Sequence, residues 1–215
     1  MESPQEASEV LQLLEDYCTR RSRWRSAGAS QWRTLRRSRM PEEQNISSLP
    51  DVPPLHSMMM IKVPVQHPKP AQRRVTERLV EITESAPIRK DEVQTQEEII
   101  QKLVQLVIMF GDDINAKLKQ NPVLKEQLQN LNYKTFEKLT STVQNLVAPA
   151  GQATGPDCQV EQQKIAWAFE VTSRLSAVGV VHHRRVLNFG AQYIEQNHAD
   201  WVWQRGGWEE AFDID

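Results

Sequence analysis

Residues able to do chemistry are few and scattered. His182 and His183 are neighbours, and on a helix neighbours point about 100° apart. They do not converge on one metal ion and read as a polar turn. The two cysteines, Cys18 and Cys158, sit in a basic polar segment and a loop-like one, and neither has a histidine nearby in sequence. They imply no disulfide framework and no thiol nucleophile, and they fit a reducing cytosol. No glycine-rich loop suited to phosphate is present. The expectation is no catalytic residue, no metal and no cofactor: a binding protein, not an enzyme. What remains is recognition chemistry, carried by apolar and aromatic side chains.

Two groups of them stand out. The first is Leu103-x3-Val107-x2-Phe110-Gly111-Asp112-x-Ile114. Steps of four, three and four put Leu103, Val107, Phe110 and Ile114 on one helical stripe. Gly111 beside that stripe costs up to about 1 kcal/mol of helix propensity, which is useful where a second helix must come close. Asp112 would meet a cation across that contact. A plain core-facing helix with a tolerated glycine has the same spacing. The second group is WVWQRGGWEEAF, Trp201 to Phe212, with three of the six tryptophans around two glycines. Trp201 and Val202 begin a short helix. Gly206 and Gly207 end it, because the residue past a helix end often needs a left-handed backbone. Trp208 restarts the chain, so the tryptophans read as anchors of a chain reversal, each able to remove about 150–250 Å² from water.

The elements that hold these groups are helices. Hydrophobic content is 39% and the net charge is −2 over 215 residues, with a mean hydropathy of −0.58. Such values are low for a chain that is compact throughout, and the charge excludes a generic nucleic-acid binder. Residues 1–45 read as a basic, mostly disordered arm with a short amphipathic helix (Val10, Leu11, Leu14, Tyr17). Arginines 20, 21, 23, 25, 33, 36, 37 and 39 follow with no acid among them, and Ser22, Ser26 and Ser38 have arginines just upstream. A solvated arm, a contact with an anionic surface, or kinase sites are the available readings. Residues 46–71, with PDVPPLHSMMMIKVPVQHPKP, read as an extended linker, since proline lacks the N–H donor. From residue 72 the helical period takes over. Val75, Leu79, Val80 and Ile82 mark one helix. Ile99 to Leu118 marks a strong one, ended by Pro122, and Leu124 to Leu131 adds a turn or two. Tyr133 to Val147, Val160 to Val181 and His182 to Asn197 follow, with a loop at Ala148 to Asp157. No convincing alternating strand and no membrane span occur.

In this order, the two groups closely resemble the third and second homology regions of the Bcl-2 family of apoptosis regulators, and RVLNFGAQYIEQNHADW matches that family's sixth helix. The resemblance covers about Gln72 to Asp215. It implies an all-α, Bcl-2-like helical bundle with a central helical hairpin, here Val160 to Val181 and His182 to Asn197, and a surface groove for a partner's helix. There are departures. Where the family's first homology region has Asn-Trp-Gly-Arg, this chain has Glu161-Gln162-Gln163-Lys164. Lys164 is the candidate groove cation but lacks the planar fork of arginine. Val107 stands where the family has leucine, and a β-branched residue there predicts weak donation of this helix. Glu170, Arg174, Arg184 and Arg185 lie on the hairpin. A charge in the bilayer core costs about 2.5–3.5 kcal/mol, so pore formation is not expected. No hydrophobic tail anchor of the family's kind is expected.

The resemblance implies a cytoplasmic, non-enzymatic regulator of apoptosis, weakly pro-apoptotic, working by helix-in-groove binding. Its partners would be other proteins: Bcl-2 family members or their amphipathic helices. No specific nucleic acid is expected, and at most a weak anionic-surface contact through the arginine-rich arm. The alternative is an adaptor or trafficking protein that keeps the fold without death-regulating activity.

Overall fold

The structure is a computed structural model, and it describes residues 8–37, 69–85, 98–110, 114–147 and 157–213. All of its elements there are helices: α1 (Glu9–Arg37), α2 (Pro70–Ser85), α3 (Glu98–Phe110), α4 (Ile114–Gln120), α5 (Pro122–Gln129), α6 (Tyr133–Val147), α7 (Asp157–Ser176), α8 (His183–Asn197), α9 (Ala199–Gln204) and α10 (Trp208–Ala211). The all-α bundle expected from the sequence is what is observed.

α7 runs through the middle and touches α1, α2, α3, α6 and α8. Residues 165–173 form nine consecutive buried positions, more than two full turns. A helix buried on every side belongs at the centre of a bundle. Phe169 on α7 joins two parts of the core, with Tyr17 packed edge-on to it at 5.6 Å and Trp208 at 6.0 Å. α8 returns along α7 as the second arm of the hairpin. Gly190 sets their distance: a Cβ there would stand 2.5 Å from Thr172 Oγ1. The hairpin turn comes earlier than the periodicity suggests. α7 stops at Ser176, and Val178 and Val181 close short turns, Val178 N–H to Leu175 O at 3.1 Å and Val181 N–H to Val178 O at 3.0 Å. Asn115 on α4 accepts from the Gly179 N–H at 3.0 Å and holds that turn.

Local signals explain several boundaries. Pro122 opens α5, where its missing N–H is no loss, and Asn121 caps the helix by accepting from Leu124 N–H. Asn132 does the same before α6, accepting from Thr135 N–H at 2.9 Å. Pro70 was read as linker, yet it is the first residue of α2, a position that suits its fixed φ. The rest of the Pro-rich linker, through residue 68, lies outside the described residues. The apolar run from Ile99 to Leu118 is described as two helices, α3 and α4.

The N-terminal helix differs most from the sequence reading. α1 is 29 residues long rather than short, and its first part is packed into the core. Val10, Leu13, Leu14, Tyr17 and Cys18 are all buried, against α2, α7 and α8. The packed unit therefore includes a segment upstream of residue 72. The cause is chemical. Arg20 has Asp16 one turn back on its own helix, and the fold supplies the further acids from other helices. Arg20 pairs with Asp16 and Glu77, and Arg21 with Glu84 and Glu170. Arg39 and Ser38 lie outside the described residues.

Candidate functional site

α3 carries the first motif. It is strongly two-faced, with Ile100, Leu103, Val104, Leu106 and Val107 buried and Glu98, Lys102 and Gln105 exposed. Leu103 and Val107 are fully buried, and Ile114, at the start of α4, is nearly so. The apolar stripe faces the bundle's own core, toward α6 and α7. Phe110 is the last residue of α3, and Gly111 and Asp112 lie outside the described residues. The folded chain thus holds Leu103, Val107 and Ile114 inside.

The second motif builds the reversal. Gly206 and Gly207 have φ of +94° and +112°, a region that side chains avoid. The Gly207 N–H donates to Val202 O at 3.0 Å, closing the end of α9, as a six-to-one capping bond does. α10 then starts at Trp208, which is buried, stacks on Phe212 at 6.0 Å and meets Phe169. Gln162 on α7 donates to Ala211 O at 2.7 Å and fixes the returning chain. Val202 is buried and Trp201 is half-buried, with the Arg205 guanidinium over its ring at 5.4 Å. Trp203 is not an anchor as the sequence suggested, for it is 86% exposed. The short helix turns it outward, next to the buried Val202.

Lys164, the candidate groove cation, is engaged. Its Nζ lies 2.6 Å from Glu161 Oε1, one turn back on α7. Behind that pair runs a buried polar chain. Tyr193 OH donates to Gln144 Oε1 at 2.7 Å, and Gln144 Nε2 donates to Lys164 O at 2.8 Å and meets His198 Nε2 at 3.0 Å. An amide nitrogen only donates, so His198 Nε2 accepts and its proton sits on Nδ1, 3.4 Å from Glu161 Oε2. Burial lowers the His198 pKa below its ordinary value, with Glu161 opposing. Burial, and then Glu137, pushes Tyr193 up to about 12.

One cluster was missed as a unit by sequence reasoning. Glu170, in the buried stretch of α7, accepts from Tyr17 OH and Arg21 Nε on one oxygen and from Arg174 Nε on the other, each at 2.7 Å. Burial works against its charge, but Arg174 and Arg21 outweigh burial and hold the carboxyl below the usual range. Burial, then Glu170, raises Tyr17 well above its ordinary value. Arg174 reaches further, donating from Nη1 to Val107 O at 2.7 Å and Ile108 O at 3.1 Å. The visible signal was an acid and a base four apart, just after the apolar run Ile165 to Phe169.

The histidine pair behaves as a turn. His182 precedes α8 and His183 Nδ1 lies 3.3 Å from Ser176 O. Among the described residues, no group of three or more His, Cys, Asp or Glu is placed to hold a metal, and no helix is long and apolar enough to cross a membrane. Neither Cys18 nor Cys158 forms a disulfide among the described residues.

An all-α bundle, an inward-facing α3 and the Trp201–Trp208 reversal are accompanied by a similarity in sequence to known proteins. The chain is similar to the apoptosis facilitator Bcl-2-like protein 14. It is 34% identical to the human protein over 127 residues, 59% of this chain and 37% of the relative. The mouse protein is 29% identical over 120 residues, 55% of this chain and 36% of the relative. The cattle protein is 28% identical over 116 residues, 54% and 35% respectively. The matched region spans little more than a third of the length of Bcl-2-like protein 14. No protein-family model and no solved structure matches the chain. The Bcl-2 family resemblance read from the two motifs therefore stands on sequence similarity to Bcl-2-like protein 14 in several mammals.

Proposed function

We propose that the chain is a non-enzymatic, cytoplasmic regulator of apoptosis that acts by helix-in-groove binding to other proteins and is weakly pro-apoptotic. The direction is suggested by the name of its relatives, apoptosis facilitators. The observation that carries the mode is the burial of Leu103, Val107 and Ile114. Donating that stripe would first expose core side chains, each worth about 1.5–3 kcal/mol. Receiving a partner's amphipathic helix requires no such exposure, so this is the mode we assign. Lys164 is the cation of the site, and its carboxylate partner on an incoming helix must compete with Glu161.

Calorimetry of the full chain against a panel of amphipathic third-region helices from death-promoting family members tests this. A dissociation constant near micromolar or tighter, weakened at least tenfold by Lys164→Glu, is expected. No binding across the panel sinks the reading. It would favour the adaptor alternative, which the internal pairing of Lys164 already supports.

A further inference from the structure

The Glu170 cluster connects two helices that do not follow each other in the chain. On one side are Tyr17 and Arg21 of α1, both bonded to Glu170 Oε2. On the other is Arg174, which holds Glu170 Oε1 and also the carbonyls of Val107 and Ile108. Those carbonyls lie in the last turn of α3, where a helix leaves four acceptors without internal partners. A cation is also favoured there by the helix dipole. Arg174 is thus shared between a carboxylate and the end of α3.

We propose that α1 is a clasp on α3: its Tyr17 and Arg21 complete the donor set of Glu170, which fixes Arg174 against the α3 carbonyls and keeps the Leu103–Val107 stripe inside. With α1 seated, Glu170 has three donors, and Arg174 can give one arm to α3. With α1 lifted, Arg174 is the only cation left of the two on Glu170, and the opened cleft admits water to both. Its hold on α3 then competes with full pairing to Glu170 and with hydration. Release of α1 is therefore the step that loosens α3. α1 is otherwise seated by its apolar face (Val10, Leu13, Leu14, Tyr17) and by surface pairs such as Arg20–Glu77, so its attachment is broad and the coupling is concentrated at Glu170. This inference stands on the contacts of Glu170 and Arg174 and does not depend on the helix-in-groove reading.

Hydrogen exchange read by mass spectrometry on the full chain, with no partner present, tests it. Arg21→Ala is expected to speed exchange tenfold or more in residues 9–23 and 98–110, while 133–147 and 183–197 keep wild-type rates. Arg20→Ala, which removes an equal charge from the surface pairs, is expected to leave 98–110 unchanged. Arg174→Gln is expected to loosen 98–110 directly. Faster exchange in 9–23 with 98–110 unmoved overturns the clasp. So does a uniform rise in every helix, since Arg21 would then only stabilise the whole. If Arg21→Ala does not fold, Tyr17→Phe gives the same reading: a smaller rise in the same two segments supports the clasp, and a rise in 9–23 alone overturns it. Failed calorimetry with the α3 response intact rejects the groove reading alone, and the reverse pattern rejects the clasp alone.

Discussion

Glu161 and Glu170 sit on the same helix, and each has a base on its own helix one turn away, Lys164 and Arg174. As sequence they are nearly the same feature. In the fold they are opposites. The Glu161–Lys164 side chains are 26% and 32% exposed, while Glu170 is 5% exposed and Arg174 18%. The difference comes from what covers them: α1 closes over Glu170 and brings Tyr17 and Arg21 with it. A one-turn ion pair in water contributes little, whereas a buried carboxylate must find donors or lose its charge. An acid and a base one turn apart make a solvated face near the start of α7 and a structural hub toward its end.

The comparison can be broken in four ways. Glu170→Ala leaves two arginines without their carboxylate and is expected to cost about 3–5 kcal/mol, read as a drop in stability by urea titration. A cost near that of a surface substitution would mean Glu170 is no hub. Tyr17→Phe keeps the ring against Phe169 and removes one bond to a charged group, so about 1.5–3 kcal/mol is expected in the same titration.

Acid should affect the two places in order. His198, beside Glu161, has a lowered pKa, so the unfolded chain takes up its proton first. The stability this represents is present above the ordinary value of 6.5 and is lost as pH falls below it. Glu170 is also lowered, so its share is present above the ordinary 4.5 and disappears only as pH falls through the lower folded value. Urea titrations from pH 7.5 to 3 should show two successive losses, the first reduced by His198→Asn and the second by Glu170→Gln. The smallest effect is expected for Lys164→Gln, within about 1 kcal/mol. A loss as large as that for Tyr17→Phe would show that the two ends of α7 are not so different.

How much of this was legible depends on the range of the interaction. α6 could be read to its boundaries because Phe136, Leu139, Val143 and Leu146 repeat cleanly. The Gly206–Gly207 reversal was legible for the same reason: left-handed backbone is a local demand. The outward turn of Trp203 was not, since three tryptophans in eight residues look alike until the register of a six-residue helix is known. α1 was half legible. Its apolar period predicts a helix, but nothing local says that Arg21 will find Glu84 and Glu170. The inward face of α3 was expected, whereas the arginine that holds its end comes from a helix 66 and 67 residues further on.

The seating of α1 on α7 and α8 also has a temporal side. α1 is held by helices made much later, with Tyr17 and Glu170 separated by 153 residues. At about 5–20 residues per second, α1 leaves the ribosome several seconds to half a minute before its seat exists. During that interval Leu13, Leu14 and Tyr17 have no core to enter, so the nascent chain exposes them until synthesis reaches α8.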